Sequence, residues 1–440
     1  MSHVQTSSGR HRFYGWRLLG VLWVILLANL AFPMYGASVM NSYMARDFGM
    51  NRAMLGMAMT SFTLLSGLPA PIVAVIVNRV GVRTTVALGG GLVCVGAIAM
   101  VFAVTAWQAV VIYGGVIGFG VALSGPLPAQ VSVANWFFAR RALALSIVLS
   151  AAGIGGFMAV PLLNRLIVAF HDNWRAGWWL VAALSALASV VAILLVKEKP
   201  ADIGQFLDGI PESERAGREA LSVARRRVFR TTRNWTFSQA MRSRSIWTIL
   251  FAAIVTSGGY ALFLGHGIVH LQDQGLTTVV AARVMGTLVL STLLGKIGVG
   301  VLADHIEPRW LWAAAMLSFG VGIAAMLTVR HPAAAYACAV CLGAGFGGAL
   351  VGSMTLVSDY FGAKVFASLI GIVFAVQTSI GAIAPLAAGY LHDRTGSYAI
   401  PFDSNAVLCF AAAIGLALLR PPHGRVLAVN EEAQLKESTV

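Results

Sequence analysis

Apolar and polar residues alternate along this chain in blocks, not residue by residue. Windows of about 20 apolar residues, enough for a helix to cross a hydrocarbon core about 30 Å thick, are separated by short polar turns. The pattern predicts twelve such helices. Six cover 16–39, 52–77, 84–105, 108–130, 142–168 and 175–196; six more cover 246–271, 277–303, 309–329, 332–357, 365–391 and 399–419. A polar segment, 197–244, divides them six and six. Its charged run PESERAGREALSVARRRVFR predicts a short amphipathic helix. The expected organisation is a tail (1–15), a six-helix bundle (16–196), a linker (197–244), a second bundle (245–420) and a tail (421–440). The fold class is an all-α membrane protein with twelve transmembrane helices in two pseudo-symmetric six-helix bundles.

Composition agrees with that class. Of 440 residues, 58% are hydrophobic and 11% charged, against about 25% charged in soluble domains. The net charge of +14 is local: 11 of the 31 Lys and Arg lie between Lys197 and Arg244. Positive residues collect on cytoplasmic loops. The six expected on the other side are Arg46, Arg52, Arg175, Arg283, Arg330 and Arg394. The expected topology is therefore multi-pass with both termini cytoplasmic. Orientation explains the basic linker better than nucleic-acid binding, which is not expected. The polar, basic start leads into a full span without the short apolar core and small-residue cleavage site of a secretory signal. Cys94, Cys338, Cys341 and Cys409 all fall in apolar windows, where they read as small buried hydrophobes and not as metal or redox sites.

The halves repeat. Asn78–Arg83 (NRVGVR) follows the second span and Asp304–Arg309 (DHIEPR) follows the eighth, 226 residues later. Asn135-Trp136-Phe137 matches Asp359-Tyr360-Phe361, and Pro161 matches Pro385, at an offset of 224. Two nearly equal offsets imply a duplicated six-helix unit.

With these motifs in place the chain resembles the major facilitator superfamily over nearly its whole length. That family carries G-x-x-x-D-R-x-G-x-R/K between its second and third spans. Here Arg79, Gly81 and Arg83 match, while Ala74 and Asn78 replace the glycine and the acid. The second copy keeps Gly300 and Asp304, with His305 where arginine is usual. Within the superfamily it looks like the monocarboxylate porters and the oxalate/formate antiporters. The strings that carry this are FYGWR (Phe13–Arg17), AFP (Ala31–Pro33), WFFARRALA (Trp136–Ala144) and PLAAGYLHDRTGSY (Pro385–Tyr398). The resemblance implies a secondary transporter working by rocker-switch alternating access, in the plasma (inner) membrane and as a monomer. The substrate it implies is a small organic anion, with a coupling proton as an option. An exporter of neutral or amphipathic compounds is the alternative. No enzyme activity, cofactor or metal is expected; no Walker motif is present.

The residue that directs this reading is Lys296, inside an otherwise apolar window. A lysine near the centre of a membrane helix costs roughly 2.5–3.5 kcal/mol on insertion scales and marks a functional site by default. The competing reading is a lysine snorkelling toward the interface. The resemblance places Lys296 where monocarboxylate porters carry a membrane-embedded arginine that holds the substrate carboxylate. The acid one turn earlier in some members is Thr292 here, and the lysine after AFP is Met34. No Asp or Glu lies near the middle of any predicted span, so the site cation favours an anion over a cationic drug. Asn29, Tyr35, Gln130, Thr292 and Gln377 are the other candidate substrate contacts, although interhelical hydrogen bonds use the same residue types. Asn78, Arg79, Arg83 and Asp304 are candidates for a cytoplasmic gate. His270, one turn after His266, is a candidate for proton coupling.

Overall fold

The structure, a computed structural model, describes residues 13–50, 52–138, 140–211, 228–231, 233–303 and 305–422. Among these it contains helices and turns without a strand. Eleven helices are long and apolar enough to cross a membrane. A twelfth crossing lies within the run Arg52–Gly67 and Ala70–Val101. The chain leaves helical geometry at Gly81 (φ 87°, ψ 167°), so the residues before it complete the second span and those after it form the third. The expected spans recur with ends moved by a few residues, except that the first runs on to Asp47 and the fourth to Trp136.

Those two long spans are irregular. The first is Gly15–Leu26, a π-helical turn Leu27–Ala31, then Phe32–Asp47. The π turn ends two residues before Pro33, whose missing N–H and ring disfavour a regular α-helical bond. The fourth span is Ala106–Val111, a π-helical turn Ile112–Ile117, Gly118–Ser124 and Pro126–Trp136, with a break at Gly125. The fifth and sixth are Arg141–Ala169 and Arg175–Leu195. The second half runs Arg244–Asp273, Thr278–Leu302, Pro308–Met326, Pro332–Phe361, Ala363–Thr395 and Ala399–Leu418. The amphipathic helix expected in the linker falls mostly outside the described residues. Within them the linker holds two 3-10 turns, Pro200–Ile203 and Leu207–Gly209, and one short α-helix, Phe237–Met241, with a Thr236–Gln239 capping box.

The eighth span shows how sequence spacing fixes packing. Leu290, Leu294, Ile297 and Val301 form an exposed apolar stripe at helical spacing, suited to lipid. A second face meets the tenth span through glycine. A Cβ on Gly295 would strike the Ala344 carbonyl, and one on Gly343 or Gly347 would strike the Leu288 or Thr292 carbonyl. Small residues let membrane helices approach this closely, since lipid supplies no hydrophobic drive between them. The third face, at 293, 296 and 300, points at the fifth span. Leu293 lies 3.2 Å from where Gly153 would carry a Cβ, and Gly300 packs on Ser146 and Ala142. The two halves also meet where the eleventh span packs on the second and fourth.

Gly295→Leu should therefore lower thermal stability in detergent by several degrees, the result of about 1–3 kcal/mol of overpacking against backbone. Gly286→Ala, with nothing within 4 Å of the new methyl, should leave stability equal or slightly raised. A thermal melt of the two variants checks both.

Candidate functional site

Lys296 does not snorkel. Its side chain is 6% exposed, and its Nζ donates to the Leu149 carbonyl oxygen of the fifth span at 3.5 Å. The ammonium thus reaches across the boundary between the halves, where three contacts follow an antiparallel order. Ala142 and Ser146 meet Gly300, Leu149 meets Lys296, and Gly153 meets Leu293. Residues 142, 146, 149 and 153 repeat every three to four positions, so one stripe of the fifth span supplies the whole seam. No carboxylate among the described residues lies within ion-pair distance of Lys296.

The second seam joins the second and eleventh spans. Thr378 fills the space a side chain at Gly67 would need, and a Cβ on Gly371 would sit 2.9 Å from the Ala70 carbonyl and 3.2 Å from the Ala74 methyl. Ala74, at the first glycine of the loop motif, is buried in this small-residue contact. Both seams lie toward the linker side of the bundle: 142–153 opens the fifth span, 363–378 opens the eleventh, and 293–302 closes the eighth.

The other candidates are spread over the molecule. Tyr35 packs beside Gly156 and lies within electrostatic reach of Tyr260, which stacks on Phe346 with ring centres 3.6 Å apart. Gln130 is fully buried, with neither amide atom hydrogen-bonded among the described residues. Asn29 is fully buried inside the first half, its Nδ2 beside Gly90 near Ser185 and Ser189. The Thr292 hydroxyl donates to its own helix at Val289. Gln377 ties the eleventh span to the seventh: its Nε2 donates to the Ala253 carbonyl, and its carbonyl accepts from Ser257. Thus Lys296 and the neighbour of Gln377, Thr378, lie on inter-half seams, whereas Thr292 and Gln377 bond within a half and Asn29, packed inside the first half, has neither amide atom hydrogen-bonded among the described residues. His270 is buried at the opposite end, its Nε2 3.2 Å from the Met326 carbonyl and its ring against Phe402 and Tyr398.

Asn78, Arg79 and Arg83 have exposed side chains, and Asp304 lies outside the described residues. The motif glycine has a local role. Glu198 accepts the N–H groups of Val82 (2.8 Å) and Arg83 (2.7 Å), satisfying orphan donors at the start of the third span. A side chain on Gly81 would strike that carboxylate, and its positive φ suits glycine alone.

Charges that do bridge the halves lie elsewhere. Arg230 of the linker pairs with Asp359 at the end of the tenth span (Nε–Oδ1 3.6 Å) and lies over the Phe138 ring of the first half at 5.0 Å. Arg141, 5% exposed, donates to the carbonyls of Phe137 and Ala134 and lies within electrostatic reach of Asp359, Arg230 and Asp208. The Thr231 N–H donates to the Asp359 carbonyl, and Asp208 accepts the Phe138 N–H. Nearby, Glu307 accepts the Phe229 N–H and the Tyr360 hydroxyl. Burial pushes its carboxyl above the usual range, against the opposing pull of these partners and Arg309. Arg141 and Asp359 stand in the sequence as charges at the ends of long apolar windows, a signal that orientation bias conceals.

A family model described as the Major Facilitator Superfamily matches residues 21–385 and 281–439. The chain is 22% identical over 431 residues to Monocarboxylate transporter 2 of Homo sapiens, covering 96% of this chain and 88% of that protein. It is 26% identical over 370 residues to Monocarboxylate transporter 12-B of Danio rerio, covering 78% and 76%. The crystal structure of FucP, a transporter solved in the outward conformation, superposes with a TM-score of 0.68 at 13% identity, covering 92% and 99%. The human organic anion transporter MFSD10 does so with 0.67 at 14%, covering 91% and 99%. At these identities the structures speak for the fold.

Cysteines at Ala74 and Gly371, in a background without the four native cysteines, should cross-link on oxidation, since the Cβ separation is close to that of a disulfide. The bond would hold the second seam shut, and transport should fall to background and return with reductant. Flux before and after reduction checks this.

Proposed function

The chain belongs to the Major Facilitator Superfamily and is a multi-pass membrane transporter; from that premise we propose that its cargo is a small organic anion, a carboxylate, bound by Lys296. One observation carries the reading. Lys296 is a cation buried between the halves with a backbone carbonyl, and no described carboxylate, for a partner. A buried charge is costly unless paired, so an incoming carboxylate has a ready gain there. The similarity to monocarboxylate transporters points to the same cargo class.

The mechanism follows from competition. With the linker side closed, the ammonium holds the Leu149 carbonyl in the fifth–eighth seam. A substrate carboxylate would offer a charge-assisted hydrogen bond, stronger than one to a neutral carbonyl. Drawing Nζ from Leu149 removes a bond that holds the seam. The halves can then rock, and the linker side opens with the charge neutralised. Thr378 at the second seam, together with Gln130, Tyr35 and Tyr260, would give polar and aromatic contacts to the remainder of the cargo. The linker side is the cytoplasmic side in this reading, as the Lys and Arg bias of that face supports. His270 as a proton carrier is a secondary element of the proposal.

In proteoliposomes with a panel of mono- and dicarboxylates, Lys296→Gln should lower kcat/KM for the transported acid by about 100-fold, the scale of one lost charge-assisted bond. Lys296→Arg should retain anion selectivity with altered affinity, because the guanidinium keeps the charge but not its point geometry. If no acid is carried while neutral amides are, the cargo is neutral and the carboxylate reading fails.

A further inference from the structure

A second basic cavity lies away from Lys296. It has a volume of about 520 Å³ and sits where the linker crosses the seam between the halves. Its charged lining is Arg141 from the first half, Lys199, Arg230 and Arg233 from the linker, and Asp359 from the second half. Among the described lining residues four cations face one carboxylate, with Asp208 a second acid within reach of Arg141. Asp359 already pairs with Arg230, so the cavity keeps a positive excess.

Two features of the same cavity point to what would offset that excess. Ser358, 2% exposed, lines it with a hydroxyl that has no hydrogen-bond partner among the described residues. Gly362 and Ala363 also line it. They begin the 33-residue eleventh helix, whose N-terminus has no side-chain cap. Free N–H groups at a helix start, with the macrodipole behind them, favour an anion. A buried hydroxyl without a partner carries a desolvation cost that a ligand acceptor would remove.

We propose that this cavity binds a phosphoryl group, carried on a free anion or on a lipid headgroup. A phosphoryl group supplies up to two charges and three acceptor oxygens. These match guanidinium and ammonium donors, a serine hydroxyl and helix N–H groups together. The volume also admits a larger body behind the phosphate.

The site has a conformational consequence. Its walls come from the first half, the linker and the second half, so it exists only while they are assembled on the linker side. A ligand that binds one arrangement shifts the population toward it. An occupant would hold the linker side closed and slow transport without competing for the cargo at Lys296. The inference does not depend on which substrate Lys296 takes.

The test uses the full-length protein in detergent at fixed ionic strength, with inorganic pyrophosphate as probe. Pyrophosphate should raise the melting temperature. The Lys199→Gln/Arg233→Gln double variant, both residues being exposed, should melt normally without ligand and bind at least tenfold more weakly. Ser358→Ala should weaken binding severalfold, and Lys296→Gln should leave it unchanged. A second arm compares nanodiscs of phosphatidylglycerol and phosphatidylcholine. Stabilisation that requires phosphatidylglycerol and is lost in the double variant assigns the lipid phosphate. A pyrophosphate response in detergent assigns the free anion. The proposal is overturned if neither stabilises the protein, if the double variant responds like wild type, or if Lys296→Gln abolishes the response.

Discussion

The constraint on which this architecture turns is that a lysine inside a membrane helix must never face lipid. Span eight satisfies it by dividing its surface into three. One stripe of branched aliphatics faces outward, one glycine-bearing face lies against the backbone of the tenth span, and the stripe that holds Lys296 is directed at the other half. Backbone contact at Gly295, Gly343 and Gly347 leaves little rotational freedom. A rotation of 100°, one residue, would carry the ammonium to the position of Ile297, 51% exposed. The glycines therefore place the charge, and the charge gives the seam its chemistry.

The seams are weak in a useful way. They consist of small side chains, van der Waals contacts and one long hydrogen bond from Lys296. Such contacts can be broken and remade for little, whereas large interlocking apolar surfaces could not. What holds the linker side is the layer beneath, where Arg230, Asp359, Arg141 and Phe138 connect the linker to both halves. In the proposed cycle, opening that face would separate this layer, and the linker would then be part of the moving structure and more than a tether between bundles.

Much of this was legible in the sequence. Period and length gave the spans, because membrane crossing imposes one length on every helix. The cost of burying an ammonium singled out Lys296. The partners were not legible. Asn29 and Gln130 are both buried carboxamides, and the sequence does not show that Asn29 lies inside its own half beside Gly90. Helical spacing tells which residues share a face but not what that face meets. The charged layer between the halves was illegible for a related reason. Arg79 and Arg83 carry the family motif with exposed side chains, while the motif's glycine serves the Glu198 cap. Arg141 and Asp359 looked like span ends, and only the fold brings them together.

Duplication explains why that meeting is favourable. At the linker-side end of the fourth and tenth spans, the matched pairs Trp136-Phe137 and Tyr360-Phe361 do the same work. Each receives the segment that leads into its half's first helix. Phe13 packs on Trp136 and Phe137, whereas Phe229 packs on Tyr360 and Trp235 on Phe361. The aromatic scaffold is thus shared, whereas the buried charges Arg141 and Asp359 are not, although Arg140 and Lys364 match as cations. Asn135 stands opposite Asp359 in the repeat, and Val365 stands at the offset of Arg141. Pseudo-two-fold symmetry brings equivalent positions of the halves toward each other, so a charge kept in both copies would meet its own sign. Placing the acid in one copy and the cation in the other turns that repulsion into attraction. The excess of cations supplied by the linker then remains as the one feature of this layer that symmetry does not account for.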